Sequence, residues 1–422
     1  MENLRAIIYE DGGWEEMYPI TLSRPAFECR AGGTTLGRRL VAQLARLGVK
    51  RVEFLARPVF RPILERDLPG HPVNEAPDGP TLFLNGRILC LRDGLRELIE
   101  LTEKTAAIHV HDVQAAARLD GPDAAQYYRV LEESLAAGEE APAPAGYTEV
   151  GSPADVRLAR RLWDLVSWNT EVIEDDFEWA RAHPHPDAPQ LTAGAQILGR
   201  DHILFREGVR LEPGAILDAR SGPILMGEGV LVEHNAVVLG PAFLGPHTRV
   251  RMGARIYDAV SAGPSCRLGG EVEAAIVQGY SNKQHEGFLG HAYLGSWVNL
   301  GAGTNNSDLK NNYSPVKVTL PEGIVDTGSL FAGCYLGDHV KTAIGSRINT
   351  GTVVGYCSNL FGGEFPPRWV PSFSWAGPGG VEPYRLEQAL ETARRVMTRR
   401  QVEMEPADEV LLRSIHAREA GA

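Results

Sequence analysis

The strongest constraint on the fold of this chain is a six-residue repeat of large aliphatic side chains between Met226 and Leu360. A small or β-branched residue follows four positions after each of the first six large ones. Neither an α-helix nor paired strands have that period, whereas a hexapeptide-repeat β-helix does. The repeat therefore predicts a left-handed parallel β-helix, a prism in which three hexads close one triangular coil around the large side chains. Its large residues are Met226, Val232, Val238, Leu244, Val250, Ile256, Leu268, Leu294, Leu300, Leu336, Thr342, Ile348, Val354 and Leu360.

Two stretches interrupt this repeat, at residues 277–293 and 304–330. Ordering a segment that leaves a regular solenoid costs conformational entropy, and the segment does not extend the core. Both stretches are therefore candidates for function.

The first third of the chain has a different pattern, in which short apolar runs alternate with helical periodicity. This alternation predicts an α/β domain with a parallel, Rossmann-like sheet, which binds ligands at the carboxyl ends of its strands. Gly12 and Gly13 follow the first predicted strand. The predicted strands are 3–9, 52–56, 81–84 and 106–110, and the predicted helices are 35–47 and 95–102.

The remaining segments connect and close these two parts. Residues 138–153 are small, acidic and proline-rich, and residues 157–183 are predicted to form one helix. We interpret the run of His183, Pro184, His185 and Pro186 that ends this helix as a turn rather than a metal site. The predicted domains are an α/β domain (1–153), a helical linker (154–190), the β-helix (191–360), and a wrap with two C-terminal helices (361–422).

Composition excludes several classes of function. The net charge of −12 argues against a general surface for nucleic acid or anionic membranes. The chain contains no apolar run of membrane-spanning length and no signal-peptide pattern at its start. Its five cysteines lack CxxC spacing, which is typical of reduced thiols in the cytoplasm.

Several short motifs in the prism carry a family resemblance. They are Tyr280 to His285, the sequence HAYLG at 291–295, VNLGAGT at 298–304, and TGTVVG at 350–355. These motifs resemble the acetyltransferase half of the bifunctional N-acetylglucosamine-1-phosphate uridylyltransferases/glucosamine-1-phosphate acetyltransferases. Within that group, the chain resembles the GlmU-like sugar nucleotidyltransferases. The resemblance implies acetyl transfer from acetyl-CoA to an amino-sugar phosphate, and a homotrimer in which neighbouring subunits complete the site.

The resemblance also implies roles for particular residues. Acetyl transfer needs a base for the attacking amine, and histidine suits that task. The position of the family's base is Gly290 here, so His291 is the first candidate and His285 the second. The remaining assignments are Tyr293 and Asn305 for orienting the sugar, Lys317 for its phosphate, and Lys341 and Arg347 for the phosphates of coenzyme A.

The first domain resembles the sugar-nucleotide pyrophosphorylases in outline. Those enzymes hold nucleotide phosphates in a glycine-rich loop after the first strand, and they use Mg²⁺ and two cationic side chains during attack on the α-phosphate. Gly12 and Gly13 match that loop, but Glu16, Ala26 and Arg87 stand where the family has Arg, Lys and a metal-binding Asp. Substitute positive charge would come from Arg24, Arg30 and Arg87.

Three alternatives remain open at this point. The chain could be a sugar-1-phosphate nucleotidyltransferase whose prism serves only for trimerisation, or a sugar-nucleotide-binding scaffold without catalysis. The third alternative is a zinc site between subunits, as in the γ-type carbonic anhydrases, built from His234, His247, His285 and His291. We predict no metal in the prism, and small-molecule sugar phosphates and nucleotides as ligands.

Overall fold

The computed structural model describes residues 4–102, 106–182 and 189–420. Its first domain is built on one six-stranded sheet, in which Arg5–Tyr9 lies between two parallel neighbours, as predicted. The added strand Val113–Leu119 runs antiparallel to both of its neighbours. The order across the sheet is Arg51–Leu55, Arg5–Tyr9, Thr81–Asn85, Val113–Leu119, Ala106–Val110 and Thr148–Gly151. Smaller pairs join Arg30–Ala31 to Thr34–Thr35 and Ile88–Cys90 to Val156–Leu158.

Within the described residues, seven α-helices flank the sheet and the prism. The predicted helices 35–47 and 95–102 are observed as α1 and α3. The helix predicted from residue 157 begins later, at Leu162, because Val156–Leu158 forms a strand instead. The predicted turn at His183 to Pro186 lies outside the described residues. The helices are α1 (Leu36–Arg46), α2 (Arg61–Asp67), α3 (Gly94–Thr102), α4 (Gly121–Ala137), α5 (Leu162–Ala182), α6 (Leu386–Thr398) and α7 (Pro406–Ala420). None of the described helices is long and apolar enough to cross a membrane.

The second part of the chain is a parallel β-helix of about ten coils with three faces. The first face contains Gln190–Leu191, Arg210–Leu211, Leu231–Val232, Arg249–Val250, Arg267–Leu268, Asn282–Lys283, Lys341–Thr342, Asn359–Leu360 and Ser374–Gly377, with Gly380–Pro383 paired to the last strand. The second contains Gln196–Leu198, Ile216–Asp218, Val237–Leu239, Arg255–Tyr257, Glu271–Glu273 and Phe288–Gly290, followed by Asn305–Asn306 and Arg347–Ile348. The third contains Ile203–Phe205, Ile224–Met226, Ala242–Leu244, Val260–Ala262, Ile276–Gly279, Tyr293–Ser296, Cys334–Leu336, Thr352–Val354 and Trp369–Val370.

The interior of the prism confirms the six-residue repeat. Large repeat residues such as Leu244, Val250 and Ile256 have no exposed surface, and the small residues Ala236 and Ala254 at the tight positions are equally buried. One continuous apolar cluster therefore runs along the prism axis. Burial of these side chains is the main source of its stability.

The first predicted interruption, at residues 277–293, is wrong. Four strands in this region occupy the three faces in regular succession, from Ile276–Gly279 to Tyr293–Ser296. The physical reason is coil length: Ala242 pairs with Val260 after 18 residues, Ser261 with Ile276 after 15, and Ile276 with Tyr293 after 17. Shorter corners shift the phase of the hexads while the strands continue to stack.

The second predicted interruption leaves the prism, as expected. After Asn305–Asn306 the chain departs from the second face and returns at Cys334–Leu336 on the third. We call residues 307–333 the excursion. It contains a hairpin of Lys317–Leu320 and Gly323–Asp326. Val318 and Leu320 of that hairpin are buried, so the excursion is a packed element.

Candidate functional site

His291 lies at a corner between the second and third faces, between Phe288–Gly290 and Tyr293–Ser296. The corner requires a left-handed backbone, and His291 has a φ of 45°. Its imidazole stacks on Phe331 of the excursion, with ring centroids 4.9 Å apart and an angle of 20° between the ring planes. This stacking fixes the plane of the ring while part of its edge stays accessible.

Two carboxylates flank this imidazole. Nδ1 of His291 lies 2.9 Å from Oδ2 of Asp308, which the excursion contributes. Glu273 belongs to the preceding coil of the second face, and its ligand atoms lie within 4.8 Å of those of His291 and Asp308. Burial raises the pKa of the Glu273 carboxyl, and the neighbouring imidazole acts in the opposite direction. A histidine held at Nδ1 by a carboxylate has the geometry of an oriented base.

A cavity of about 540 Å³ opens beside His291. It follows the corner between the second and third faces, where Pro241, Asp258 and Ala274 succeed one another along the prism. Helix α5 covers one side with Trp163, and the excursion closes another with Phe331. The volume is that of a small-molecule site.

The second candidate base lies elsewhere. His285 is exposed, and its side chain has one hydrogen bond in the described part of the structure, between Nε2 and Nε2 of Gln284 at 3.3 Å. The predicted sugar contacts Asn305 and Lys317 are also exposed. The Asn305 amide accepts from the Phe288 backbone N–H at 2.8 Å and donates to the Gly303 carbonyl at 2.8 Å. Neither Asn305 nor Lys317 lines the cavity beside His291.

Tyr293 is fully buried between the prism and the first domain. Its hydroxyl oxygen accepts from the Arg30 backbone N–H at 2.7 Å and lies 3.0 Å from Oε1 of Gln278. The residue therefore joins two parts of the chain in this structure, and it does not line the cavity beside His291.

Replacing Tyr293 with phenylalanine is expected to lower the free energy of unfolding by about 1–3 kcal/mol, because buried polar partners lose a hydrogen bond. Chemical denaturation of the purified variant measures this change. Tyr313→Phe is the matched control. Because Tyr313 is 71% exposed, this substitution should leave the free energy of unfolding unchanged. If the Tyr293 variant and the wild type had equal free energies of unfolding, the hydrogen bond of the Tyr293 hydroxyl would not stabilise the protein.

The two residues predicted to bind coenzyme A phosphates make local contacts. Nζ of Lys341 donates to the His339 carbonyl at 2.7 Å, and burial lowers the pKa of this amine. Nε of Arg347 donates to the Gly363 carbonyl at 2.8 Å, and the guanidinium lies over the Phe365 ring at 5.3 Å. Their role as phosphate ligands stays a prediction.

The glycine-rich loop of the first domain is filled by a side chain. The guanidinium of Arg87 has no exposed surface and contacts Asp11 at 2.8 Å, Glu16 at 2.9 Å and Glu140 at 3.3 Å. Burial lowers the pKa of this guanidinium, but the three carboxylates more than compensate and raise it overall. Any side chain at Gly13 would collide with the same guanidinium. The loop and Arg87 thus meet in a closed ion cluster, and their role as ligands of a nucleotide phosphate stays a prediction.

Arg24 lies away from this cluster. Its guanidinium forms an ion pair with Asp338 of the prism and donates to the Ser296 hydroxyl at 3.3 Å. The Ser23 hydroxyl also donates to Asp338, at 2.9 Å. Arg24 and Arg87 therefore do not form one phosphate site in this structure.

The zinc hypothesis finds little support in these positions. His234, His247 and His285 are exposed corner residues. Within the described ranges, the one group of three possible metal ligands is Glu273, His291 and Asp308. It contains a single histidine from the predicted set.

Sequence reasoning missed Asp308 and Glu273. Glu273 pairs with Gly290, the residue before His291, so the stacking of two coils of the second face places it beside the imidazole. Asp308 lies in the excursion, where the sequence predicts Lys317 as the functional residue. Its position depends on how that segment folds back onto the corner.

Comparison with known proteins assigns this architecture to a class. Residues 6–183 match the family model described as sugar nucleotidyl transferase. The chain is 24% identical over 176 residues to the uncharacterized acetyltransferase YaiX of Escherichia coli O6:K15:H31, covering 40% of this chain and 75% of that protein. It is 27% identical over 263 residues to the bifunctional protein GlmU of Alkalilimnicola ehrlichii, and 31% identical over 195 residues to that of Trichormus variabilis.

The two GlmU matches cover 56% and 44% of this chain, and 52% and 38% of those relatives. The chain thus spans about half or less of each. Among solved structures, the UDP-N-acetylglucosamine acyltransferase of Francisella novicida is 12% identical, with 48% of this chain and 73% of that chain covered. The TM-score of 0.28 is too low for any inference.

These matches group the chain with transferases. Residues 6–183 are similar to the sugar nucleotidyl transferase family, and 44–56% of the chain is similar to the two GlmU proteins.

Proposed function

We propose that the prism transfers the acetyl group of acetyl-CoA to the amine of an amino sugar or amino-sugar phosphate, with His291 as the base. The contact between Nδ1 of His291 and Oδ2 of Asp308, at 2.9 Å, carries this proposal. A carboxylate at Nδ1 holds the imidazole in the tautomer whose Nε2 accepts a proton. The cavity beside the ring supplies space for an acceptor.

The reaction would proceed by attack of the acceptor nitrogen on the thioester carbonyl. His291 takes the proton from that nitrogen as the new C–N bond forms, and Asp308 stabilises the resulting imidazolium. Collapse of the tetrahedral intermediate then breaks the C–S bond. The proton on His291 passes to the departing thiolate, so the products are an amide and free coenzyme A.

We propose that the first domain is a degenerate sugar-1-phosphate nucleotidyltransferase that binds ligands or serves as a scaffold. The ion cluster of Arg87 supports this second part, because its guanidinium fills the loop that holds phosphates in the pyrophosphorylases. The residues do not fit Mg²⁺: Arg87 is a cation, and it already engages Asp11 and Glu16, the carboxylates that would have to bind the ion.

Thiol release from acetyl-CoA, measured with and without glucosamine 1-phosphate or glucosamine, tests the proposal. Release that depends on the amino sugar supports acetyl transfer. Pyrophosphate release from UTP or dTTP with sugar 1-phosphates, in the absence of thiol release, would instead favour the nucleotidyltransferase alternative. Ligand binding with neither product would favour a scaffold.

We further propose a cytoplasmic homotrimer. All five cysteines are free and buried, as in proteins of reducing compartments. Apolar side chains stand exposed at the corner between the first and second faces, with Met252 64% and Ile344 80% exposed. Contact with neighbouring prisms would cover them. We expect light scattering of the intact protein to give three times the chain mass, and a monomer mass would contradict the assembly.

A further inference from the structure

The cavity beside His291 contains carboxylates and lacks cations. Asp164 and Asp258 line it, and Glu273 and Asp308 flank the imidazole at its edge. Among the described lining residues there is no lysine or arginine. Arg160 and Arg161, which precede Asp164, are engaged elsewhere: Arg160 contacts Glu16 at 3.2 Å and Arg161 contacts Glu322 at 2.8 Å. Apart from His291, the ionisable residues that a phosphate would meet in this space are therefore carboxylates.

The rest of the lining is aromatic and hydroxylic. Trp163 and Tyr335 form one wall, with ring centroids 5.5 Å apart. Tyr335 is fully buried, and no described residue provides a hydrogen-bond partner for its hydroxyl. The hydroxyl oxygen itself has no accessible surface, so a ligand in the cavity does not reach it. Aromatic walls beside the exposed hydroxyls of Ser167 and Thr170 suit a polyhydroxylated ring.

We propose that the acceptor held in this cavity is an amino sugar without a phosphate, whose ammonium group enters between Glu273, Asp308 and His291. The inference rests on the proposed acetyl transfer and narrows its acceptor. The carboxylates attract the cationic amine, which loses its first proton to solvent, and His291 then takes the second proton as the C–N bond forms. Burial raises the pKa of the Glu273 carboxyl because it disfavours the charged form. A cationic group beside Glu273 would stabilise that charged form.

The charges of the cavity make Asp258 a determinant of specificity. Asp258 is exposed, lines the cavity and has a φ of 52°. Asparagine tolerates that left-handed conformation, so Asp258→Asn removes the charge without straining the corner. Asp201→Asn is the matched control, since Asp201 is an exposed aspartate near an earlier corner between the same two faces and lies outside the cavity.

The test compares kcat/KM for glucosamine and glucosamine 1-phosphate in the acetyl-CoA thiol-release assay. We expect glucosamine to be favoured by at least about tenfold, from the repulsion of a phosphate by several carboxylates. Asp258→Asn should reduce that preference, whereas Asp201→Asn should leave it unchanged.

Calorimetric titration of the intact protein with each sugar measures binding without acetyl transfer. The inference about the acceptor can therefore be tested separately from the proposed function. A preference for glucosamine 1-phosphate, or equal use of both sugars, would overturn it. If neither sugar releases thiol, the acetyl-transfer proposal fails. In that case, tighter binding of glucosamine would still support the acceptor class. Binding of glucosamine 1-phosphate alone, or of neither sugar, would refute it.

Discussion

Replacing His291 with asparagine is expected to lower kcat for thiol release by about 10²–10⁴-fold, the usual contribution of a general base. Asparagine is preferred to alanine because it tolerates the left-handed backbone of this corner, with its φ of 45°. It cannot accept the amine proton. KM for acetyl-CoA should change little, because the substitution removes a transition-state interaction. Steady-state kinetics over a range of both substrates measure these effects, and circular dichroism checks the fold.

His285→Asn is the matched control for this variant. His285 is exposed, and no carboxylate pairs with its ring in the described structure, so its substitution should leave kcat unchanged. Asp308→Asn should lower kcat less than His291→Asn does, since the base remains but loses the carboxylate that orients it. Loss of activity in the His285 variant with retention in the His291 variant would assign the base to His285.

The sequence predicted the prism well because its pattern is local and repeated. Each large repeat residue, such as Leu244 or Val250, meets the same interior environment, so periodicity alone assigns it to the core. The six-residue periodicity gives a wrong prediction at residues 277–293, because it depends on a constant number of residues in each coil. Coils of 15 and 17 residues alter the phase of the repeat at the corners while backbone pairing between coils continues.

The site could be predicted only in part, because its charged groups come together through tertiary structure. His291 was identified from its motif, and Asp308 reaches it from the excursion, whose path no periodicity specifies. Tyr293 shows the same limit. A motif indicates that a tyrosine stands at this position, but the contact of its hydroxyl with Arg30 depends on how the first domain packs against the prism.

Arg87 is the residue for which we expect the largest change in stability. Replacing it with alanine should lower the free energy of unfolding by about 3–5 kcal/mol, because Asp11 would be left buried without its counter-charge. The Asp11 carboxylate has no exposed surface and would keep only the Asn85 amide as a side-chain donor, at 2.7 Å. Urea denaturation with a two-state fit restricted to the first transition measures this loss.

Two further variants separate a structural ion cluster from a phosphate site. Arg92→Ala removes a surface arginine that is 62% exposed and pairs with Asp155, and it should cost no more than about 1 kcal/mol. Adding Asp11→Asn to Arg87→Ala should recover part of the loss, since the unpaired charge is then gone. A loss below about 1 kcal/mol in the single variant would mean that solvent already screens Arg87. The guanidinium would then be free to meet a nucleotide phosphate, and the case for a first domain without turnover would fail.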